Sequence, residues 1–244
     1  MLITFIIPTR ERPTLLFECV RSIYDRAERP EKIEVILIAD DDDQTIDGTM
    51  FTIKQHGYHP ILIKRQRTIF IIRDYHNMAA KIAEGSYLWS LNDDCIIKTP
   101  NYDHIIGHEI ESRLATQKDR ILYVYVDDDT HTPRGITKEY GCCFPIFTKE
   151  THNTLNCLYP PEINSAGADY NMHYIFKSLK SDRMLDISDK IKLEHLCHHN
   201  GKREVDDTQR NIMRIGGGDL LRNFIISEYV RRLNSAIISP NTSN

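Results

Sequence analysis

The sequence predicts an α/β fold in which helices flank a mostly parallel sheet, because two periodicities alternate along its first 126 residues. Apolar runs such as residues 3–7 and 35–39 have the length and composition of strands that are buried on both faces of a parallel sheet. Between these runs, apolar residues recur at the spacing of one helical face. Right-handed crossovers join strands and helices that alternate in this way into one sheet covered on both sides.

The first predicted strand spans residues 3–7 and leads into a helix. Pro13 suits the first turn of that helix, its apolar positions recur as far as Ala27, and Pro30 ends it. The other elements predicted in this half are a strand over 33–39, a helix over 46–56, a strand over 60–64, a helix over 72–82, a strand over 87–91, a helix over 102–114 and a strand over 121–126.

The second half of the chain is less regular and its predicted elements are fewer. Residues 140–148 suit a pair of strands, residues 168–179 a helix, and residues 190–196 a strand in which apolar and charged residues alternate. Three glycines at 216–218 indicate a hinge. Asp219 then serves as the N-cap of a final helix of about four turns.

Length and composition favour a single folded domain over residues 1–244. The chain is 41% hydrophobic and 27% charged, which excludes collagen-like, low-complexity and largely disordered proteins. Its 31 Lys and Arg residues and 35 Asp and Glu residues give a net charge of −4. This balance disfavours a nucleic-acid binder that depends on neutralising phosphates.

Cysteine use and the absence of targeting signals indicate a cytoplasmic protein. No apolar stretch approaches the ~20 residues that a transmembrane helix needs. The first ten residues lack the basic start and small-residue cleavage site of a secretory signal. The six cysteines show no paired C-x-x-C spacing, and we expect them to be reduced thiols.

Acidic residues follow three of the predicted strands, at the edge where open α/β sheets bind their ligands. They are Asp40 to Asp43, the run Asn92-Asp93-Asp94, and Asp127 to Asp129. Carboxylates gathered at one edge repel one another unless a cation lies among them, and oxygen ligands favour Mg²⁺ or Mn²⁺ over zinc. For the first and third clusters, a solvated turn without function is an open alternative.

A second candidate for metal binding lies late in the chain. His195, His198 and His199 would share one face of a helix and suit zinc, but the alternation before them favours a strand. Lys202 or Arg203 in the polar segment that follows either holds a diphosphate or is part of a solvated turn.

Several segments, in the right order, resemble the family 2 glycosyltransferases of the GT-A fold. They are Ile-Ile-Pro-Thr-Arg-Glu-Arg-Pro at 6–13, Val-Ile-Leu-Ile-Ala-Asp-Asp at 35–41, and the stretch from Asn77 to Asp94 that ends in Trp-Ser-Leu-Asn-Asp-Asp. The resemblance covers roughly residues 2–95. In the second half, Ala-Gly-Ala-Asp at 166–169 is similar to the family's Gly-Glu-Asp segment, and Leu-Glu-His-Leu at 193–196 to its late metal-binding histidine.

The resemblance implies a donor site for a nucleotide sugar in residues 1–126. Asp40 would accept a hydrogen bond from the base, Asp93 would lie near the ribose, and Asn92 stands where many members have an acid. The other residues that it places beside the nucleotide are Pro8, Thr9, Arg10, Arg73 and Asn77.

The resemblance also implies a metal ion, Mn²⁺ or Mg²⁺, and a general base. Asp94 would be the metal ligand of a DxD-like pair, and His195 would complete the metal site. Asp169 would deprotonate the acceptor hydroxyl, although Ala168 replaces the usual glutamate before it. The implied reaction is a single displacement that inverts the anomeric centre.

The resemblance gives the two partners of this reaction only as classes. A UDP-sugar is the common donor. The acceptor is a hydroxyl of a glycan, a lipid-linked glycan, a protein or a modified nucleic acid. Residues 127–196 would shape its site, with specificity in 140–164, and residues 197–244 would form a C-terminal loop and helix.

Other functions remain open on the sequence alone. A nucleotidyltransferase would usually carry a glycine-rich basic loop after the first strand, and residues 8–12 contain no glycine. An aspartyl hydrolase needs an aspartate at the end of that strand, where none stands. A non-catalytic module that binds sugar nucleotides or glycans would bind nucleotide and release no nucleoside diphosphate.

Overall fold

The structure of the chain is a computed structural model that describes residues 2–129, 141–163, 167–197 and 223–238. Nine strands lie in these ranges: β1 (Ile3–Thr9), β2 (Ile33–Asp40), β3 (Ile61–Arg65), β4 (Tyr87–Ser90), β5 (Cys95–Ile97), β6 (Tyr123–Tyr125), β7 (Ile146–Thr148), β8 (Met184–Asp186) and β9 (Leu193–His195).

Helices connect most of these strands. They are α1 (Pro13–Asp25), α2 (Ile46–Gln55), α3 (Asn77–Ile82), α4 (Tyr102–Leu114), α5 (Lys149–Leu155), α6 (Ala168–Lys177) and α7 (Asn223–Ile238). A π-helical turn, Ile72–His76, leads directly into α3. None of the helices in the described ranges is long and apolar enough to cross a bilayer.

Seven strands form the central sheet in the order β3-β2-β1-β4-β7-β6-β8. The pairs β3/β2, β2/β1 and β1/β4 are parallel, and so is β6/β8. Strand β7 is antiparallel to both β4 and β6 and separates them. The prediction of a mostly parallel sheet flanked by helices is therefore confirmed.

The core lies where the periodicity of the first strands and helices predicts it. Nearly every residue of β1 and β2 is buried, as a strand covered on both faces requires. Trp89 of β4 is fully buried against Phe5 of β1, with ring centroids 5.1 Å apart, and its Nε1 donates to the Phe144 carbonyl at 3.0 Å. These contacts fix β1 and β4 side by side, so that their carboxyl ends share one edge.

Three features differ from the sequence prediction. The predicted strand pair over 140–148 is a single strand, β7, in the described residues, and it pairs antiparallel with both β4 and β6. The helix predicted over 72–82 begins with a π-helical turn. Strands β5 and β9 form a separate two-stranded sheet, and the strand predicted over 190–196 is shortened to β9.

Some predictions fall outside the described residues. They concern His198, His199, Lys202, Arg203, the glycines at 216–218 and the N-cap Asp219. The six cysteines lie within the described residues and are all free thiols, as predicted.

Candidate active site

The carboxyl ends of β1 and β4 bring Thr9 and Asp93 together. Asp93 is almost fully buried, and its two carboxylate oxygens accept hydrogen bonds from Thr9 Oγ1 at 2.8 Å and from Arg12 Nη1 at 2.7 Å. Burial raises the pKa of Asp93, and the neighbouring Asp94 adds to that shift, although Arg12 opposes it. Arg12 lies three residues after β1 and was not among the predicted site residues.

Asp40 ends β2 and is the centre of a second group of contacts. Arg10 Nη1 donates to Asp40 Oδ2 at 2.8 Å, and Arg67 Nε lies 3.9 Å from the same oxygen. The other oxygen, Oδ1, accepts a hydrogen bond from the Tyr75 hydroxyl. Asp40 is 4% exposed, and these side chains already orient the carboxylate that the predicted nucleotide base would approach.

Two other carboxylates of the first acidic cluster, Asp42 and Asp43, find ion-pair or hydrogen-bond partners within the protein. Arg10 also pairs with Asp42, and this contact holds the pKa of Asp42 below its usual range. Burial alone would raise the pKa of Asp43, but backbone and side-chain donors of Glu11 and Thr45 bind its carboxylate at 2.8 Å and lower the pKa instead. These contacts explain Asp42 and Asp43 without a metal ion.

Asp94 and His195 meet where β5 pairs with β9. The antiparallel register aligns Cys95 with His195, and Leu196 N donates to the Asp94 carbonyl at 2.9 Å. His195 Nε2 lies 3.3 Å from Asp94 Oδ1, and both side chains are buried, with exposed fractions of 8% and 1%. One donor atom each from Asp94, Cys95 and His195 lie within 4.8 Å of one another.

The donor set of this cluster fits a divalent cation. Burial raises the pKa of the Cys95 thiol, and the Asp94 carboxylate raises it further, so the thiol keeps its proton when no ion is bound. The Asp94 carboxylate and the His195 imidazole are ligands that transition metals accept. Burial would lower the pKa of His195, but its contacts with Asp94 and Cys197 outweigh burial and raise it to about 9.

The third acidic cluster supports the fold rather than a shared metal site. Asp128 is fully buried and accepts a hydrogen bond from Cys143 N. The backbone of Asp127 bonds to Ile191 and Leu193 at 2.9 and 2.6 Å, which anchors the segment that leads into β9. Within the described ranges, Asp94, Cys95 and His195 are the only group close enough to hold one ion. The clusters at Asp40 to Asp43 and Asp127 to Asp129 are not part of this group, and for them the sequence left a turn without function open.

Asp169 lies in the first turn of α6, after Gly167, and is partly exposed. Burial raises the pKa of the Cys142 thiol, and the charges of Asp128 and Asp169 raise it further. The charges of Asp128 and Asp169 thus act on the same thiol.

The remaining predicted residues have different surroundings. Pro8 lies within β1, and Asn92 is exposed in the turn after β4. Arg73 is exposed, pairs with Asp74 at 2.8 Å and lies over the Phe70 ring. Asn77 is buried, and its amide bonds to the backbone of Leu158 and Tyr159.

The hydrogen bonds of the Asn77 side chain join two segments of the fold. Its side chain joins the start of α3 to the segment after α5, and it uses both the amide oxygen and the amide nitrogen.

Residues 4–108, which carry β1 to most of α4, match the family model described as glycosyl transferase family 2. No curated protein sequence matches the chain.

Solved structures are similar at low identity. Staphylococcus aureus TarS 1-349 in complex with UDP is 14% identical with a TM-score of 0.62, over 100% of this chain and 74% of that one. Mannosyltransferase PcManGT from Pyrobaculum calidifontis, in complex with GDP-Man and Mn²⁺, is 15% identical with a TM-score of 0.61, over 97% and 75%. GalNAc-T7 with UDP, GalNAc and Mn²⁺ is 13% identical with a TM-score of 0.59, over 80% and 44%.

The sheet order and these similarities define a GT-A fold, as the sequence predicts. The family-model match covers the strands that lead to Thr9, Asp40 and Asp93. The resemblance identified from the sequence is thereby confirmed.

Proposed function

We propose that the protein is a metal-dependent, inverting glycosyltransferase that moves a sugar from a nucleoside diphosphate donor to a hydroxyl acceptor. The observation that carries the proposal is the buried carboxylate and imidazole of Asp94 and His195, which stand beside Asp93 just beyond the carboxyl end of β4. A donor diphosphate and a divalent ion would meet at this edge of the sheet.

The donor half comprises residues 1–126 and binds a nucleotide sugar, with a UDP-sugar as the first choice. Asp40 accepts a hydrogen bond from the base, and Asp93 accepts one from the ribose. Thr9 and Arg12 support this arrangement by holding the Asp93 carboxylate in place. Of the other residues assigned to the donor, Pro8 and Arg10 lie in or directly after β1, and Arg73, Asn77 and Asn92 retain this role as a proposal.

Asp94 and His195 hold the cation, for which Mn²⁺ suits an imidazole ligand better than Mg²⁺ does. When bound, the ion neutralises charge that develops on the departing diphosphate. The two side chains fix its place because β5 and β9 hold their backbones in register. Complexes of PcManGT and GalNAc-T7 contain Mn²⁺, which supports this choice.

Asp169 acts as the general base. Its carboxylate accepts the proton of the acceptor hydroxyl while that oxygen forms a bond to the anomeric carbon and the bond to the diphosphate breaks. Residues 127–196 shape the acceptor site around it. The acceptor belongs to the glycans, lipid-linked glycans, proteins or modified nucleic acids. A cytoplasmic location agrees with six free thiols.

The test measures nucleotide binding by calorimetry and thermal shift with UDP, GDP, dTDP and CDP, each with Mn²⁺, Mg²⁺ or a chelator. We expect a nucleotide to stabilise the wild-type protein only when the metal is present. Asp94→Asn abolishes this metal-dependent stabilisation because it removes the charged ligand. Asp47→Asn is the matched control, since Asp47 is 79% exposed on α2 and pairs only with Lys64 in the described structure.

Metal-dependent binding that survives in Asp94→Asn would refute the assigned metal site. Binding without release of nucleoside diphosphate in any acceptor mixture would favour a non-catalytic module. A response to no nucleotide at all would refute glycosyl transfer by this domain and leave only its fold.

A further inference from the structure

Tyr75 is a buried residue of the donor half to which neither the sequence motifs nor the proposed reaction gives a role. Its side chain is 3% exposed, and its hydroxyl donates a hydrogen bond to Asp40 Oδ1. Burial raises the pKa of Tyr75, and the contact with Asp40 raises it further, so the hydroxyl keeps its proton. Tyr75 therefore acts on Asp40 as a permanent donor.

The surroundings of Tyr75 hold its ring in one position. The Arg65 guanidinium lies over the ring, 5.0 Å from the centroid, and Arg65 is directly opposite Asp40 in the pairing of β2 with β3. Arg65 also donates to the Asp74 carbonyl, and Thr68 Oγ1 donates to the Asp74 carboxylate at 2.8 Å. Both contacts tie the π-helical turn that carries Tyr75 to the end of β3.

The consequence for Asp40 is that its two oxygens are not equivalent. Oδ1 is occupied by Tyr75, whereas Oδ2 receives Arg10 Nη1 at 2.8 Å and has Arg67 Nε at 3.9 Å. Arg67 is 44% exposed and can turn toward a ligand. A base that reaches this site therefore meets one carboxylate oxygen with guanidinium N–H groups beside it, a pattern of donor, acceptor and donor.

Only some bases complement that pattern. Uracil and thymine present one N–H between two carbonyl oxygens, which is acceptor, donor and acceptor. Guanine presents two adjacent donors, N1–H and the N2 amino group, which a carboxylate pairs best through both of its oxygens. Cytosine presents an acceptor nitrogen at the central position and would face the carboxylate oxygen without a shared proton.

We propose that Tyr75 is a positioning residue that holds one oxygen of Asp40 and thereby makes the donor site selective for uracil or thymine over guanine and cytosine. This inference rests on the proposed function, because it assumes that Asp40 faces the base. Tyr75 itself contacts no ligand in this scheme and acts through the carboxylate alone.

The test compares the affinities of UDP and GDP for wild type and Tyr75→Phe in the presence of Mn²⁺, by calorimetry. The substitution frees Oδ1, so we expect the preference for UDP over GDP to fall about tenfold, the scale of one charged hydrogen bond. Affinity for Mn²⁺ alone should not change, because Tyr75 touches neither Asp94 nor His195. Tyr58→Phe is the matched control, since the Tyr58 hydroxyl donates to the exposed Asp25 in the same way at 2.6 Å.

A second variant keeps the inference testable if Tyr75→Phe does not fold. In Asp40→Asn, Arg10 can only donate and takes the amide oxygen, so the Tyr75 hydroxyl accepts from the amide nitrogen and the order of donor, acceptor and donor is kept. UDP should then remain preferred over CDP, and a preference for CDP would show that Tyr75 does not hold the inner atom of this side chain.

The outcomes distinguish a failure of this inference from a failure of the proposed function. An unchanged ratio of UDP to GDP affinity in a folded Tyr75→Phe protein, or a wild type that prefers GDP, would overturn the inference while glycosyl transfer stands. Absence of nucleotide binding by the wild type with any metal would overturn the proposed function, and the inference with it.

Discussion

The burial of His76 makes the stability of the protein depend on pH in a direction that the structure sets. His76 ends the π-helical turn, its Nδ1 lies 2.7 Å from Ser90 Oγ, and its ring meets Tyr159 edge to face at 5.7 Å. Burial in this apolar setting lowers the pKa of His76 from 6.5 to about 4. The folded protein therefore keeps the imidazole neutral under conditions in which the unfolded chain protonates it.

The size of the effect follows from that difference in pKa. As pH falls from 7.5 to 5, the unfolded chain takes up nearly one proton at this site and the folded chain takes up almost none. Integrating over this window gives a loss of about 2 kcal/mol in the free energy of unfolding. For a domain of this size, the loss corresponds to a decrease in Tm of roughly 4–8 °C.

Thermal unfolding of wild type and His76→Gln across pH 4 to 8 measures this contribution. Other groups titrate in both proteins, so the quantity of interest is the difference between their Tm values. We expect the wild type to lose its advantage over His76→Gln as pH falls below 6.5. His108→Gln, which alters a histidine that is 67% exposed, should follow the wild type throughout.

A difference in Tm that stays constant from pH 7.5 to 5 would refute the reasoning. It would mean that His76 reaches water or finds an anionic partner in the folded state. A difference that grows in favour of the wild type at low pH would show that the folded state binds the extra proton.

Three further predictions concern the site and its support. His195→Ala should weaken Mn²⁺ affinity by about tenfold or more in calorimetry, and a change in Tm alone would make the histidine structural. Asp169→Asn should retain nucleotide affinity but lower turnover by a factor of ~10² or more, measured as release of nucleoside diphosphate, and unchanged turnover would move the base elsewhere. Asn77→Ala should lower the free energy of unfolding by about 2–4 kcal/mol in denaturant titrations, because it leaves buried backbone groups of Leu158 and Tyr159 without their partner; a loss below 0.5 kcal/mol would show that water replaces the amide.

The first half of the fold could be predicted because its signals are local. The buried strands β1 and β2 are nearly continuous apolar runs, and Pro13 marks the start of α1 where the structure begins it. Strand β8 has only three residues, and none of them is fully buried, so it carries no such pattern. Strand β7 enters between β4 and β6 through tertiary pairing, which periodicity within one segment does not encode.

Part of the candidate site could likewise be predicted from the sequence, and part could not. Asp94 and His195 were predicted as partners from motifs at both ends of the chain, and the structure brings them within 3.3 Å. Tyr75 lies within the helix predicted over 72–82 and is buried there, as an apolar helix face requires. Its hydroxyl contact with Asp40 depends on the tertiary packing of this segment against β2, which periodicity within one segment does not encode.

The small sheet formed by β5 and β9 has a consequence for how the protein matures. The pairing of Cys95 with His195 joins residues that are 100 positions apart in the sequence. The proposed metal ligands, Asp94 and His195, therefore meet only after the intervening part of the chain has folded. Contacts of such long range form late in folding, since the entropy of closing a large loop must be overcome first. The nucleotide edge at β1, β2 and β4 is local by comparison and can form early. The order of assembly thus makes the capacity to bind a metal a late event, and a nascent chain that has emerged only as far as α4 would carry half of a site and no activity.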